Sequence, residues 1–365
     1  MRQQSGICAA FAALLACSLS STVHAAEKVV LAFAVPPGVQ YSDIMFGREL
    51  GFFSEEGLDL EIVAFAGGGV VIPQVANKSV QFGSTEAGIV ITAIAKGEPF
   101  PVRFAYNYWR TYTNDFVVLA DGPIKSLADL KNRKLGVTSM ASSVNNVTKP
   151  ALKELGITWQ KDIEVRPVGF GAAAWKQLET RQVDALNFFY SEDVRMRQSG
   201  LKIRQIPFPA VYQNVFTQAF LVHTDTIRDR PDLIAKMGRA TAKSTVACTV
   251  AREACVRAFW KFDPTSRPPQ DREASWIRNS IEIVDANYAA AGNFDGGKPT
   301  WGSFRPGGLK AYIEAMKEGG AISRSDIPED QIVTNQFVSQ FNKFDNDAVV
   351  QRAQQAQAAI GRAGN

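Results

Sequence analysis

Hydrophobic and polar positions along the chain predict alternating strands and helices. Residues 28–35 read KVVLAFAV, a nearly unbroken apolar run that is typical of a parallel strand covered on both faces. A helical segment at 42–50 follows, and residues 58–63 then alternate apolar and polar side chains with the period of two that a strand shows. Gly51 stands where the end of the helix favours a left-handed residue. The pattern predicts an α/β protein.

Polar side chains follow the predicted strands. In open α/β sheets, ligands bind in the crevice beyond the carboxyl ends of the strands. Gln40 and Tyr41 come after the first strand and are therefore candidate ligand-binding residues, although Tyr41 could equally hold the next helix in place. Glu86 follows a strand predicted at 79–83, where it could bind a ligand or cap the apolar helix predicted at 89–95.

The most aromatic polar stretch lies at 107–114, after a strand predicted at 102–106, and reads NYWRTYTN. Aromatic faces with interleaved amides suit a flat or cationic small molecule. Asn107 and Trp109 are therefore further candidates for ligand contact. The alternative is a loop that is anchored by buried aromatic rings.

A segment rich in serine and asparagine, TSMASSVNN at 138–146, lies at a strand-to-helix junction. Exposed backbone N–H groups at such a junction favour anionic groups, which makes Ser139, Ser142 and Ser143 candidates. The helix could begin at Ser143, with Pro150 breaking one internal hydrogen bond, or at Thr148, with Pro150 in its first turn.

A third set of candidates follows the short strand predicted at 183–186. Asn187, Tyr190 and Glu192 extend from its carboxyl end. Glu192 could pair with an amino or hydroxyl group of a ligand, or it could be a solvated carboxylate at the start of a helix.

Three segments resemble the ligand-binding proteins of bacterial ABC importers. They are YSDIMFGRELGFFSEEGLDLEIVAFAGGG at 41–69, SLADLKNRKLGV at 126–137 and QVDAL at 182–186. Each is diffuse alone, but their order and spacing are similar to those of type II periplasmic binding proteins. The branch concerned handles nitrate, sulfonates, taurine and pyrimidine precursors of thiamine.

The resemblance implies two doubly wound α/β lobes joined by two crossover strands. We expect one lobe at 27–118 and 219–365 and the other at 119–218, with crossovers near 116–120 and 217–222. It further implies a monomer that captures a small molecule in the cleft, closes over it and delivers it to a membrane permease. No cofactor and no catalytic turnover are expected.

The amino terminus has the pattern of an export signal. Residues 1–25 carry Arg2, an apolar run at 7–17 and the ending Val23-His24-Ala25, which predicts cleavage before Ala26 and a periplasmic location. Residues 14–17 are also close to a lipoprotein cleavage box, which would tether the protein through Cys17 instead.

Charge and histidine usage narrow the function classes. The net charge is +4 and no basic run stands out, so nucleic-acid binding is not indicated. After the signal, His223 is the only histidine, and no zinc site can be built from ligands that are close in sequence. Because it ends an apolar strand, His223 is expected to be structural.

Two cysteines remain after the signal, Cys248 and Cys255. In an oxidising compartment a disulfide between them is the simple expectation. One continuous helix would hold them about 10 Å apart, too far to bridge, so the disulfide requires a helix break near 249–252. Two packed free thiols are the alternative.

Two other functions remain open on the same fold. One is an enzyme similar to eukaryotic pyrimidine synthases, which rely on a cysteine-rich segment and an active-site histidine; this chain has no cysteine cluster. The other is a receptor that presents its ligand to a sensor. The ligand itself is undecided: the Ser/Asn segment fits a sulfonate, carboxylate or nitrate, whereas Trp109, Tyr190 and Glu192 fit an aminopyrimidine.

Overall fold

A computed structural model of the protein describes residues 26–97, 100–212, 215–292, 294 and 297–363. The export signal expected at 1–25, with Cys17, lies outside these residues. In the described part of the chain, no helix has the length and apolar character needed to cross a membrane.

Two five-stranded sheets form the framework. The first has the strand order β2-β1-β3-β10-β4, and the second has the order β7-β6-β8-β5-β9. The strands are β1 (Glu27–Phe33), β2 (Leu58–Ala64), β3 (Phe82–Thr85), β4 (Val102–Trp109), β5 (Asn114–Leu119), β6 (Lys134–Val137), β7 (Glu164–Pro167), β8 (Ala185–Phe189), β9 (Ile203–Pro207) and β10 (Gln218–His223).

The two sheets repeat one design. In the first, β1 pairs in parallel with β2 and β3, while β10 runs antiparallel between β3 and β4. In the second, β6 pairs in parallel with β7 and β8, while β5 runs antiparallel between β8 and β9. The predicted α/β class is confirmed, with an antiparallel strand in the fourth position of each sheet.

Helices cover the sheets and connect their strands. They are α1 (Ser42–Glu49), α2 (Phe52–Glu55), α3 (Gly68–Ala76), α4 (Gly88–Ala95), α5 (Val144–Lys153), α6 (Ala172–Glu179), α7 (Tyr190–Gln198), α8 (Thr224–Asp229), α9 (Pro231–Val250), α10 (Arg252–Phe262), α11 (Glu273–Ala291), α12 (Lys310–Glu318), α13 (Val338–Phe341) and α14 (Asn346–Ala363). Short 3₁₀ helices include Val39–Tyr41 and Leu127–Leu130, the latter begun by the capping box of Ser126 and Asp129. Helix α5 begins after Ser143 and includes Pro150, which settles the two starts that the sequence left open.

The chain passes between the sheets at 110–113, and residues 208–212 and 215–217 lie on its return. Strand β5 pairs only within the second sheet, so residues 114–118 belong with that sheet and not with the first, where the sequence placed them. The two passages touch, because the Thr217 hydroxyl accepts a hydrogen bond from the backbone N–H of Thr113 at 2.7 Å and donates one to the carbonyl of Thr111 at 2.8 Å.

Apolar packing continues from one sheet to the other. One buried cluster contains Phe104 of the first sheet and Phe116 of the second. Tyr212 in the returning passage lies edge-on to Tyr312 of α12, with ring centroids 5.9 Å apart. The side of the molecule that includes α12 is therefore packed against both sheets.

The cysteine and histidine predictions are both confirmed. Helix α9 ends at Val250 and α10 begins at Arg252, so the helix is interrupted at Ala251. This interruption brings the Cα atoms of Cys248 and Cys255 to 5.3 Å, and the two residues form a disulfide. The Nδ1 atom of His223 accepts a hydrogen bond from the backbone N–H of Asp225 and so caps α8.

Candidate functional site

The two sheets face each other across two glycine- and serine-rich turns. The N–H of Gly69 donates to the carbonyl of Ala141 at 3.1 Å, and the Ser139 hydroxyl donates to the carbonyl of Ala66 at 3.2 Å. Deeper in, the hydroxyl oxygens of Thr85 and Ser143 lie 2.8 Å apart. The serine segment identified in the sequence thus contacts the residues at the carboxyl ends of β2 and β3. This contact closes one side of the candidate site.

Glycine is required for this approach. Gly67 has a φ of +110°, which L side chains rarely adopt. A Cβ on Gly68 would overlap the hydroxyl oxygens of both Ser143 and Thr85. The triple glycine that closes the 41–69 motif therefore lets two backbones meet where any side chain would hold them apart.

Beneath that contact lies Glu86, which is 2% exposed. Its Oε1 accepts a hydrogen bond from Nδ2 of Asn114 at 3.3 Å, while its buried Oε2 has no hydrogen-bond partner in the described structure. Burial raises the pKa of Glu86 to about 8, although the Asn114 hydrogen bond opposes the shift. Glu86 is therefore largely protonated at neutral pH. Neither carboxyl oxygen accepts a hydrogen bond from the start of α4, so Glu86 is not the helix cap that the sequence allowed.

Other buried polar atoms around Glu86 also lack partners. Asn114 and Asn187 share one face of the second sheet, because Asn114 lies opposite Phe189 and Asn187 lies opposite Phe116. The Nδ2 of Asn187 donates to Thr148 Oγ1 at 2.9 Å. Both amide nitrogens are thus used within the protein, whereas both Oδ1 atoms are buried without a hydrogen-bond partner among the described residues.

Two tyrosines complete the group. The hydroxyls of Tyr112 and Tyr312 are buried and likewise find no hydrogen-bond partner in the part of the chain that is described. Both are close enough to Glu86 for its charge to raise their pKa values, after the larger effect of burial. We call Glu86, Tyr112, Asn114, Asn187 and Tyr312 the Glu86 cluster.

Glu192 belongs to a separate, fully paired arrangement. It is completely buried, its Oε2 accepts from Trp175 Nε1 at 2.9 Å, and its Oε1 accepts from Arg195 Nη1 at 3.1 Å. Desolvation raises the pKa of Glu192 despite the charge of Arg195. Arg195 also approaches Gln40 Oε1 at 3.5 Å, so this ion pair links α7 to the segment after β1.

The aromatic stretch is part of the core. Trp109 is 3% exposed and stacks on Tyr41, with centroids 5.1 Å apart and planes 11° from parallel. Strand β4 continues through Trp109, so Asn107 is in the strand and donates from Nδ2 to the carbonyl of Ser303 at 3.1 Å. This matches the alternative of buried anchoring rings.

The remaining candidates lie at the rim. Ser142 is half-buried beside Ala141, and Tyr190 is half-buried with the Arg197 guanidinium 5.6 Å from its ring centroid. Of the residues predicted from sequence, Glu86, Ser143 and Asn187 are those at the centre.

Sequence reasoning missed Asn114, Tyr312 and Gly68 as site residues. Asn114 ended a stretch that was interpreted through its aromatic residues. Tyr312 occurs at the helical spacing of buried apolar residues. The sequence pattern therefore predicts a core side chain and does not indicate a role for its hydroxyl. The one available signal for Asn114 is a polar residue close to the start of an apolar strand.

Comparison with known proteins yields a family and a fold. The model of a family described as NMT1/THI5 like matches residues 39–252. A protein of Haemophilus influenzae named for thiamine biosynthesis is 26% identical over 207 residues, which cover 55% of this chain and 63% of that protein. The matched region thus spans less than two thirds of the length of this relative.

Solved structures share the fold at low identity. The alkanesulfonate-binding protein SsuA of Xanthomonas axonopodis, bound to MOPS, has a TM-score of 0.61 and 12% identity, covering 84% of this chain and 97% of its own. The periplasmic nitrate-binding protein NrtA of Synechocystis has a TM-score of 0.52 and 13% identity, covering 90% and 88%.

Glu86 makes stability depend on pH. The pKa of Glu86 is near the ordinary value of 4.5 in the unfolded chain and about 8 in the folded protein. Between these pH values the folded state binds more protons than the unfolded state, so the free energy of unfolding falls as the pH rises. We expect Glu86→Gln to remove about 4 kcal/mol of the decline between about pH 5 and pH 8. Urea unfolding at several pH values measures it. The exposed Glu179→Gln is the control, and parallel pH profiles for wild type and Glu86→Gln would contradict the burial argument.

Gly68→Ala should separate the two sheets, because its Cβ would overlap the hydroxyl oxygens of Thr85, from the first sheet, and of Ser143, beside the second sheet. We expect a larger radius of gyration in solution scattering, with little change in circular dichroism. Gly69→Ala is the graded control, since a Cβ there would lie 3.1 Å from the Ala141 carbonyl oxygen and needs only a small adjustment. Superimposable scattering of Gly68→Ala and wild type would show that the turns do not hold the sheets together.

Proposed function

Because the chain belongs to the NMT1/THI5-like family, whose model matches residues 39–252, we propose that it is the solute-binding protein of an ABC importer. It captures a small nitrogenous molecule that donates hydrogen bonds, such as an aminopyrimidine, and hands it to a membrane permease. The ligand occupies the space around the Glu86 cluster, between two lobes.

The observation that carries this proposal is the set of unpaired acceptors in the Glu86 cluster. Buried polar atoms in proteins nearly always have partners, and leaving one unpaired costs roughly 1–3 kcal/mol. Here one carboxyl oxygen, two amide oxygens and two phenol oxygens are buried together without hydrogen-bond partners among the described residues. A ligand with several N–H groups would supply the missing donors.

The same chemistry disfavours a sulfonate or nitrate. None of the five residues of the Glu86 cluster is a cation, and the neighbouring hydroxyls of Thr85 and Ser143 are bonded to each other. An oxyanion could accept from the two phenol hydroxyls and from protonated Glu86, but it would also meet the two unpaired amide oxygens, and no residue of the cluster supplies a compensating positive charge. A nitrogenous base can instead take the proton of Glu86, so that a carboxylate faces a protonated ring or amine.

Each proposed lobe is built on one of the two sheets. We propose one lobe built on the first sheet, from residue 27 to 109 and again from 218 onward, and one on the second sheet from 114 to 207. The passage at 110–113 and the returning residues 208–212 and 215–217 then act as the hinge. The conformation described here is closed, because the Ala66–Gly69 and Ser139–Ser143 turns are in contact. The ligand stabilises this state over an open one.

Binding without turnover is supported by the structural roles of the cysteine and histidine side chains in the described part of the chain. Cys248 and Cys255 are joined in a disulfide, and His223 caps α8. Neither a thiol nor an imidazole is thus available at the Glu86 cluster within the described residues. We therefore favour the binding protein over the pyrimidine-synthase-like enzyme.

A panel of ligands tests the substrate class. We expect 4-amino-5-hydroxymethyl-2-methylpyrimidine to raise the melting temperature, because a ligand that binds only the folded state stabilises it. Ethanesulfonate and nitrate should leave it unchanged. Glu86→Gln should weaken pyrimidine binding at least about tenfold, equivalent to about 1.4 kcal/mol. Stabilisation by the two anions and not by the pyrimidine would reject the assignment.

Export is proposed from the sequence alone. A protein expressed with its full amino terminus should be recovered from the periplasmic fraction beginning at Ala26. Edman sequencing measures this directly. Recovery from the membrane fraction with a lipid-modified Cys17 would favour the tethered alternative.

A further inference from the structure

A groove of about 580 Å³ is lined in part by Trp175 and Arg195, the two hydrogen-bond partners of Glu192. One wall comes from Trp175 of α6 and Arg195 of α7, and the other from α10, α11 and the loop between them. Helices α7 and α11 meet at its edge, where Nε2 of Gln198 donates to the carbonyl of Asn279 at 3.1 Å. The groove therefore has one wall from each half of the molecule.

Aromatic side chains form its surface. Its lining includes Trp175, Phe259, Trp260 and Trp276, so three of the six tryptophans of the chain contribute to this one groove. Trp276 is 45% exposed, which is unusual for so large an apolar ring. An accessible indole face suits a planar ring system, which stacks on it with little loss of conformational freedom.

The charged side chains that line the groove are all positive. Of the described residues that line it, two are arginines, Arg195 and Arg267, and none is Asp or Glu. Arg267 is 60% exposed and donates to Glu273 through a single nitrogen at 3.0 Å. A guanidinium carries five N–H donors in a planar fork, so both arginines have donors left for a carboxylate in the groove.

We propose that this groove is a second small-molecule site, which binds a planar aromatic carboxylate. The rings of the ligand stack among the tryptophans, and its carboxylate accepts hydrogen bonds from Arg267 or Arg195. Its chemistry differs from that of the Glu86 cluster, which contains no cation. Because its walls come from both halves, an occupied groove favours the closed arrangement of the two sheets.

Isothermal titration with 2-naphthoate tests the site. We expect saturable binding to the wild type, at least tenfold weaker binding of the uncharged 2-naphthalenemethanol, and at least tenfold weaker 2-naphthoate binding in both Trp276→Ala and Arg267→Gln. Both side chains are substantially exposed, so neither change should prevent folding. Phe262→Ala on α10 and Arg181→Gln, which are similarly exposed but lie outside the groove, should bind 2-naphthoate as the wild type does.

Glu86→Gln separates this proposal from the proposed function, because it should leave 2-naphthoate affinity within twofold of wild type. Failure of the pyrimidine to bind would not affect this result. The proposal is overturned if 2-naphthoate shows no saturable binding at millimolar concentration. It is equally overturned if either groove variant binds normally, or if Glu86→Gln abolishes binding.

Discussion

The close approach of the Gly67–Gly69 and Ser139–Ser143 turns is the constraint on which the centre of the molecule depends. It brings Thr85 and Ser143 within hydrogen-bond distance. Glu86 directly follows Thr85 and is buried, and the desolvation of its carboxyl group raises its pKa to about 8. The absence of a side chain at Gly68 thus permits the contact beside which this carboxyl group is buried.

The interior is divided between two kinds of polar chemistry. Both carboxyl oxygens of Glu192 have partners, Trp175 and Arg195. Around Glu86, several buried oxygens lack hydrogen-bond partners among the described residues. The paired Glu192 carboxylate holds α6 and α7 in place, whereas buried polar atoms without partners are suited to hydrogen-bond a ligand. This contrast allows a structural carboxylate and a candidate binding carboxylate to be distinguished, although both are buried and both have raised pKa values.

The aromatic residues divide in a similar way. Trp109 and Tyr41 stack on each other inside the half of the molecule that is built on the first sheet, where β4 pairs with β10 as far as Gln218. Trp175 and Trp276 remain accessible at the boundary between the two halves. Because the sheet register carries Trp109 inward, the most aromatic stretch of the sequence contributes to the core, and the accessible aromatic surface is assembled from helices that are far apart in the chain.

The sequence by itself determined the α/β class, the left-handed Gly51 and the need for a helix break between Cys248 and Cys255. These features depend on neighbours within a few residues, where hydrophobic period and backbone preference act directly. Glu86, Ser143 and Asn187 could be proposed because polar residues after strands meet at the same edge of a sheet. Only the tertiary structure decided that Asn114 and Tyr312 join them and that Trp109 does not. Burial and hydrogen-bond pairing arise between segments far apart in the chain, and no local pattern records which polar atoms will be left without a partner.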